Sequence, residues 1–172
     1  PGIEVKIHEP NDEGVGEVIA RGPNVMRGYL DRPEETERAL KDGWLHTGDL
    51  GTIDKHGNLT IVGREKEVIV TSGGKNVYPD ELEEVYGSCE DIEELSVVGL
   101  PDGSGSERVA CLVRAKVPET GVEDGASPEQ VAEVRARIRE HFRVEGSRHP
   151  SHNRIKVLRF WDQEFPRTAT RK

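Results

Sequence analysis

Residues 63–66 read Gly63-Arg64-Glu65-Lys66, and the pattern of the chain changes at this point. Before it, short alternating apolar segments are separated by clusters of turn-forming residues, which is typical of β-structure. After it, segments of strand type alternate with segments of helix type. We therefore expect an α+β protein in two parts, a β-rich part at residues 1–63 and a compact α+β part at residues 64–172.

Periodicity predicts the elements of both parts. In the first part we expect strands at residues 3–7, 15–20, 50–54 and 58–62 and a short helix at 33–40 that begins at a proline. In the second part we expect strands at residues 67–71, 95–100, 109–115 and 155–160, a helix from residue 79, and a polar loop at 145–154. Ser127 and Gln130 form a capping box, after which Val134, Ile138 and Phe142 fall with Val131 on one buried helix face.

Composition excludes several classes of protein. The 172 residues carry a formal net charge of −9 and can form a core without disulfide staples. No apolar run approaches the ~20 residues of a spanning helix, so we expect no transmembrane segment. Cys89 and Cys111 lack the spacing of a metal site and are expected to be free thiols of a cytoplasmic protein. The alternative to free thiols is a disulfide between the two cysteines. The alternative to a purely cytoplasmic location is peripheral attachment to a membrane.

Charge is unevenly distributed along the chain. Residues 135–172 carry a net charge of +7, whereas the rest of the chain is acidic. A basic end is often used to contact phosphates or acidic partners, although most of these arginines fit a solvated helix face. We expect no nucleic-acid partner, because the chain is acidic overall and lacks the motifs of nucleic-acid-binding domains.

The segment at residues 43–49 has a composition suited to ligand binding. Glycines flank Trp44 and are expected to place Thr47 and Asp49 on a tight, exposed backbone. The carboxylate of Asp49 could accept two hydrogen bonds from a vicinal diol such as that of a ribose. The alternative is that Asp49 caps a turn and Trp44 packs in the core.

Two further segments carry candidate binding groups. Arg64 ends a predicted strand and could hold ribose or phosphate oxygens in a fixed fork, while Gly73 and Gly74 permit a positive φ and close approach of a ligand. A surface strand with its turn is the alternative. The polar tail at residues 166–172 has no helical or strand period, and its alternative is a frayed terminus.

Taken together and in this order, these segments resemble the C-terminal portion of the AMP-forming adenylating enzymes. This superfamily includes acyl-CoA synthetases, luciferases and peptide-synthetase adenylation domains. The resemblance extends upstream to Gly16-Glu17-Val18 and Met26-Arg27-Gly28-Tyr29 and covers nearly the whole chain. It is strongest to the bacterial long-chain fatty acyl-CoA ligases. The resemblance implies that residues 1–63 are the last β-subdomain of a large N-terminal domain and that residues 64–172 are a mobile C-terminal domain.

The resemblance also implies roles for residues of the first part. Asp49 would hold the ribose hydroxyls of ATP and then of the acyl-adenylate, with Arg64 assisting and Thr47 in the same nucleotide site. Lys66 occupies the position of the family's hinge residue, about which the C-terminal domain would rotate between two half-reactions.

In the second part, the loop with Gly73 and Gly74 would line the tunnel for the pantetheine arm of coenzyme A. Lys172 occupies the position of the catalytic lysine, whose ammonium would meet the carboxylate and the α-phosphate during adenylation. The residue before it is Arg171, where most of the family has glycine.

The implied reaction joins a fatty acid to coenzyme A. ATP adenylates the carboxylate and releases pyrophosphate, and the acyl group then passes to the thiol of coenzyme A with release of AMP. Mg²⁺ is expected with ATP, with ligands outside this segment. The family's phosphate loop, adenine-stacking aromatic and acyl pocket would lie before Pro1. We therefore expect a C-terminal fragment that is inactive alone and whose partner is the N-terminal domain of the same protein.

Two other functions remain open at this stage. The same chemistry could load the phosphopantetheine of a carrier protein instead of coenzyme A. A non-catalytic interaction module that uses the basic tail and the acidic helix from residue 79 is the second alternative. A metal-dependent hydrolase has little support, because the six histidines show neither HExxH nor facial-triad spacing.

Overall fold

The computed structural model describes residues 2–116 and 127–166. The chain forms two compact units, Pro1–Glu67 and Val68–Lys172, so that the division follows Glu67. The α+β class expected from the sequence is confirmed. The assignment of the two parts to a large and a mobile domain stays a prediction.

The first unit is built around a five-stranded sheet. Its elements are β1 (Glu4–His8), β2 (Gly16–Arg21), α1 (Pro33–Ala39), β3 (Leu40–Lys41), β4 (Trp44–Ile53) and β5 (Leu59–Arg64). β1 pairs with β2, and β2 pairs with one edge of β4. The other edge of β4 pairs with β3 near its start and with β5 near its end. β4 therefore holds the sheet together, and all of these pairs are antiparallel.

The extent of β4 corrects the sequence prediction. A strand was expected only from residue 50, because the glycines at 43 and 48 indicated an exposed turn. The structure places Trp44–Ile53 in one strand and leaves most of it half-buried. Residues on either side of Gly48 pair with β2 and β5, so that the strand continues through this glycine. Trp44 is half-exposed rather than core, and Lys6 and Arg21 lie over its ring.

A tight turn joins β4 to β5, with Gly57 N–H donating to the carbonyl of Asp54 (3.0 Å). The carboxylate of Asp54 accepts hydrogen bonds from the backbone N–H groups of His56 (2.8 Å) and Asn58 (2.9 Å) and from the Asn58 side chain (2.8 Å). These bonds favour the ionised form, so the pKa of Asp54 lies below its usual value. The turn fixes the register of β5 against β4 and thereby the position of Arg64.

The second unit combines two small sheets with two helices. Its elements are β6 (Ile69–Val70), β7 (Asn76–Val77), α2 (Pro79–Tyr86), β8 (Ile92–Pro101), β9 (Glu107–Ala115), α3 (Pro128–Arg148) and β10 (Val157–Phe160). β9 is the central strand of a three-stranded sheet, antiparallel to β8 and parallel to β10. β6 and β7 form a two-stranded hairpin.

Three sequence predictions in this unit are corrected. The strand expected at residues 67–71 is a 3-10 turn at Glu65–Glu67 followed by only two strand residues. The strand expected from residue 155 begins at Val157. The loop expected at residues 145–154 is helical as far as Arg148. Gly146 does not end the helix, because it is buried close to the Tyr86 hydroxyl and leaves room for that ring.

The core of the second unit lies between its helices and the three-stranded sheet. Its buried residues are Ile69, Val77, Leu82, Tyr86, Val97, Val109, Cys111, Val113, Val134, Ile138 and Phe142. The predicted stripe on α3 is confirmed for Val134, Ile138 and Phe142, and the capping box at Ser127 is present. Val131 is only half-buried.

Both cysteines are free thiols, as expected. Burial raises the pKa of the Cys111 thiol to about 12, so the thiol stays protonated at neutral pH and acts as a small core residue. Of the helices in the described part of the chain, none is long and apolar enough to cross a membrane.

Replacing Ile138 by alanine is expected to lower the free energy of unfolding of this chain by about 2–5 kcal/mol. Ile138 is fully buried (0% exposed) on α3, so truncation removes apolar contacts and leaves a cavity. Urea denaturation measures the loss. Val131→Ala on the same helix is the control and should be less destabilising, because Val131 is only half-buried. Equal losses for the two variants would contradict the packing described here.

Candidate functional site

A bulge in β4 forms the centre of the candidate site. Glu17 pairs with Leu50, and two residues later Ile19 pairs with His46. One residue of β2 therefore faces three residues of β4, which are Thr47, Gly48 and Asp49, hereafter the β4 bulge. Gly48 has φ = 71°, a left-handed conformation that glycine adopts without steric penalty. Such bulges re-aim side chains at sheet edges and next to binding sites.

Side chains from β2 and β4 fix the shape of the β4 bulge. Glu17 Oε1 accepts a hydrogen bond from the backbone N–H of Gly48 (3.0 Å), and Glu17 Oε2 lies 2.6 Å from His46 Nδ1. The side chains of Glu17 and His46 are only 16% and 13% exposed. Thr47 Oγ1 donates to the carbonyl of Val18 (2.7 Å) and accepts from the N–H of Asp49 (3.1 Å). The Thr47 hydroxyl therefore already has a structural role.

The β4 bulge places Asp49 opposite Arg64 on β5. The two residues are partners in the ladder, and Arg64 Nε lies 2.9 Å from Asp49 Oδ1. Their side chains are 33% exposed for Asp49 and 52% exposed for Arg64. A carboxylate has about four acceptor sites and a guanidinium about five N–H donors, so one bond between them leaves both able to bind a ligand. The pair offers acceptors and donors together, which suits a hydroxyl-rich ligand.

A cleft of about 740 Å³ lies beside this pair within the first unit. Thr47, Gly48, Arg64 and Lys66 line it, together with the Glu17–His46 pair. Asp49 itself does not line the cleft, but the residue before it, Gly48, does. Further basic side chains of the lining are Arg32, Arg38 and Lys41. An equal number of acidic side chains lines the cleft as well: Glu9, Glu17, Glu35, Glu65 and Glu67. The volume is in the range of small-molecule sites.

Gly73 and Gly74 lie in the second unit, in the turn that joins β6 to β7. Gly74 has φ = 66° and donates its N–H to the carbonyl of Thr71 (2.8 Å). Of the two glycines, which both permit a positive φ, Gly74 adopts one and Gly73 does not. A Cβ at either position would meet no atom within 4 Å, so the backbone of this turn is open to close approach.

Replacing Gly74 by alanine is expected to destabilise the chain by about 1–2 kcal/mol, because the turn forces a left-handed conformation on this residue. Gly73→Ala is the matched control and should have little effect, since that position has free space and no positive φ. Denaturant unfolding of both variants compares them. A larger loss for Gly73→Ala would contradict the turn geometry.

The structure brings together some of the predicted site residues. Asp49, Arg64 and Thr47 form one cluster, and Lys66 lies in the 3-10 turn directly after β5. The Gly73–Gly74 turn belongs to the other unit. Lys172 and the rest of the predicted tail from residue 167 lie outside the described residues.

The contributions of Glu17 and His46 were not predicted. Glu17 is 31 residues before Gly48, and no local pattern connects a polar strand residue to a backbone N–H so far along the chain. Alternation within β2 places Glu17 on the same face as Ile19, and Glu17 also belongs to the segment Gly16-Glu17-Val18 of the resemblance stated above. Neither signal indicates a contact with Gly48.

Within residues 2–116 and 127–166, no group of three or more His, Cys, Asp or Glu side chains could hold a metal ion. This part of the chain therefore offers no metal site formed by such a group.

One protein family matches the second half of the chain. The family described as the AMP-binding enzyme C-terminal domain matches residues 81–172.

Similar proteins and structures extend this match over most of the chain. The chain is 43% identical over 123 residues to a long-chain-fatty-acid–CoA ligase of Salmonella typhimurium, covering 69% of this chain and 22% of that protein. It is 36% identical over 157 residues to a 2-succinylbenzoate–CoA ligase of Geobacillus kaustophilus, covering 91% of this chain and 29% of that protein.

Among solved structures, it resembles o-succinylbenzoate CoA synthetase of Bacillus subtilis in complex with an acyl-adenylate intermediate. The TM-score is 0.75 at 27% identity, and the match covers 99% of this chain and 32% of that one. The same synthetase has also been solved with ATP and a magnesium ion. The chain thus spans between a fifth and a third of the length of these proteins.

Proposed function

This chain belongs to the AMP-binding enzyme family, and we propose that it is the C-terminal part of an acyl-CoA ligase that adenylates a carboxylic acid with ATP. The adenylate would then react with the thiol of coenzyme A to give acyl-CoA and AMP. The observation that carries the proposal is the Asp49–Arg64 pair on the β4 bulge, beside a cleft of small-molecule size.

The nucleotide is assigned to this pair by its chemistry. The Asp49 carboxylate would accept hydrogen bonds from the two hydroxyls of the ribose, and Arg64 would donate to a ribose or phosphate oxygen. The similar synthetase solved with an acyl-adenylate supports a nucleotide ligand for this family.

The two half-reactions are proposed to use different arrangements of the two units. Lys66 lies in the 3-10 turn that ends the first unit, next to the division after Glu67, which suits a hinge. In the first arrangement Lys172 would face the carboxylate and the α-phosphate. In the second, the open turn at Gly73–Gly74 would approach the pantetheine arm of coenzyme A.

The large domain that supplies the rest of the active site is proposed to cover an exposed apolar face of the first unit. Ile53 lies opposite Leu59 in the ladder, and Ile61 follows two residues later on the same face. These side chains are exposed in the chain alone. Further exposed apolar side chains of the first unit are Ile3, Val5, Tyr29 and Leu30. Because the chain spans 22% of the Salmonella ligase, an N-terminal domain of the same protein is the natural occupant.

A long-chain fatty acid is the proposed substrate. The identities of 43% and 46% to the Salmonella typhimurium and Bacillus subtilis fatty-acid ligases support it. The 2-succinylbenzoate ligase is a relative over a larger share of the chain, so an aromatic acid must be included in any test.

The test is AMP formation by the full-length protein that carries this chain, with a panel of fatty acids and 2-succinylbenzoate, with and without coenzyme A. AMP release that requires both a fatty acid and coenzyme A is the expected result. Release with 2-succinylbenzoate alone among the acids would overturn the fatty-acid assignment. Formation of an acyl-adenylate that does not react with coenzyme A would indicate that the protein loads a carrier protein. No consumption of ATP would favour a non-catalytic module.

The same assay applied to this chain by itself should give no turnover. Steady pyrophosphate release by the isolated chain would contradict the proposed dependence on an N-terminal domain.

A further inference from the structure

We propose that Glu17 is a positioning residue for the nucleotide, holding the β4 bulge so that Asp49 meets the ribose. The proposal rests on the proposed function, because it assumes that Asp49 binds the ribose of ATP. It assigns to Glu17 a specific effect on nucleotide binding, in addition to its place in the sheet.

The backbone of the β4 bulge depends on Glu17 for a partner. The N–H of Gly48 lies where three residues of β4 face one of β2, so the ladder offers it no regular carbonyl. Glu17 Oε1 accepts this N–H at 3.0 Å. A backbone N–H that is shielded from water and loses its partner is costly, so removal of the carboxylate should reshape the bulge locally.

The orientation of Glu17 is itself fixed. Its second carboxylate oxygen lies 2.6 Å from His46 Nδ1, and the ring of His8 packs edge-on against His46 with 5.2 Å between centroids. The Glu17 side chain is only 16% exposed. The carboxylate is therefore preorganised on one side by the imidazole and presents its other oxygen to the bulge.

The hydrogen bond between Gly48 and Glu17 also restricts the position of Asp49. The two residues are adjacent, and the N–H of Asp49 is bound in turn by Thr47 Oγ1 at 3.1 Å. On the opposite edge of β4 Asp49 is paired with Arg64, and the Arg64 side chain contacts its carboxylate at 2.9 Å. A binding group that is misplaced by about 1 Å loses much of its effect on the ligand.

The test compares Glu17→Ala with Asp49→Ala and with the double variant, in the full-length protein, by the KM for ATP. Glu17→Ala is expected to raise this KM about 10-fold, as for loss of a hydrogen bond to a charged group. Glu17→Gln keeps an acceptor for the Gly48 N–H and should raise it by no more than about threefold. Glu4→Ala is the matched control, since it removes a carboxylate from neighbouring β1 that bonds the exposed Arg21 side chain, and it should leave the KM unchanged.

The double variant separates positioning from a general structural role. If Glu17 acts through Asp49, adding Glu17→Ala to Asp49→Ala should change the KM for ATP no further. Additive effects would overturn the proposal, and so would an unchanged KM in Glu17→Ala when Asp49→Ala raises it. An unchanged KM in Asp49→Ala would instead remove the ribose role of Asp49, which is a failure of the proposed function.

Folding is monitored separately in the 172-residue chain. Amide hydrogen exchange at Gly48 should accelerate in Glu17→Ala while that of Ile138 in the other unit stays slow. If Glu17→Ala does not fold, the cycle is run with Glu17→Gln. Additivity in that cycle would overturn the proposal in the same way.

Discussion

Replacing Lys172 by alanine in the full-length protein is expected to slow formation of the acyl-adenylate by about 10²–10³-fold. Loss of one positioned charge that faces a developing negative charge has an effect of this size. The ammonium would meet the carboxylate and the α-phosphate as pyrophosphate departs. The expectation rests on the position of Lys172 in the family pattern, because this residue lies outside the described residues. Single-turnover release of pyrophosphate from ATP and the acid measures the effect.

Two comparisons make this prediction specific. Lys156→Ala removes an exposed lysine from the same unit and should leave the rate unchanged. Conversion of a chemically prepared acyl-adenylate to acyl-CoA should also persist in Lys172→Ala, because the catalytic lysine is expected to leave the site before that step. Equal losses in both half-reactions would contradict the assignment of Lys172 to adenylation.

The sequence predicted those helix and strand boundaries that are determined by residues close together in the chain. The helix at Pro33 and the capping box at Ser127 were both expected from residues within one helical turn. The true start of β4 and the end of α3 were not, because each depends on distant partners. Gly48 stays within β4 because residues on either side of it pair with β2 and β5, and Gly146 lies within α3 close to the Tyr86 hydroxyl.

The same distinction between local and distant contacts applies to the candidate site. The sequence predicted that Asp49 and Arg64 bind one nucleotide, and the structure pairs these two residues across β4 and β5. The sequence did not indicate that Glu17 and His46 support them, since contacts across 29 and 31 residues leave no local pattern. Positions of binding groups can thus be read from motifs, whereas the groups that orient them require the three-dimensional structure.

Replacing Asp49 by alanine is expected to lower kcat/KM for ATP by about 10–100-fold. Asp49 would accept hydrogen bonds from the ribose hydroxyls, and each bond to a charged acceptor contributes about 1.5–3 kcal/mol. Steady-state kinetics with ATP varied and the acid saturating measures the change. Asp49→Asn keeps one oxygen acceptor without the charge and should fall between the wild type and Asp49→Ala.

Stability should change little in the same variants, which separates a binding role from a structural one. The Asp49–Arg64 pair is half-exposed, and exposed ion pairs contribute about 0–1 kcal/mol because water screens them. A large loss of ATP efficiency with a preserved melting temperature would therefore identify Asp49 as a ligand of the nucleotide. A fall in melting temperature with unchanged kinetics would contradict that role. It would indicate instead that the pair stabilises the contact between β4 and β5. The two outcomes differ because a half-exposed carboxylate contributes little to the stability of the fold but keeps acceptor sites for a ligand.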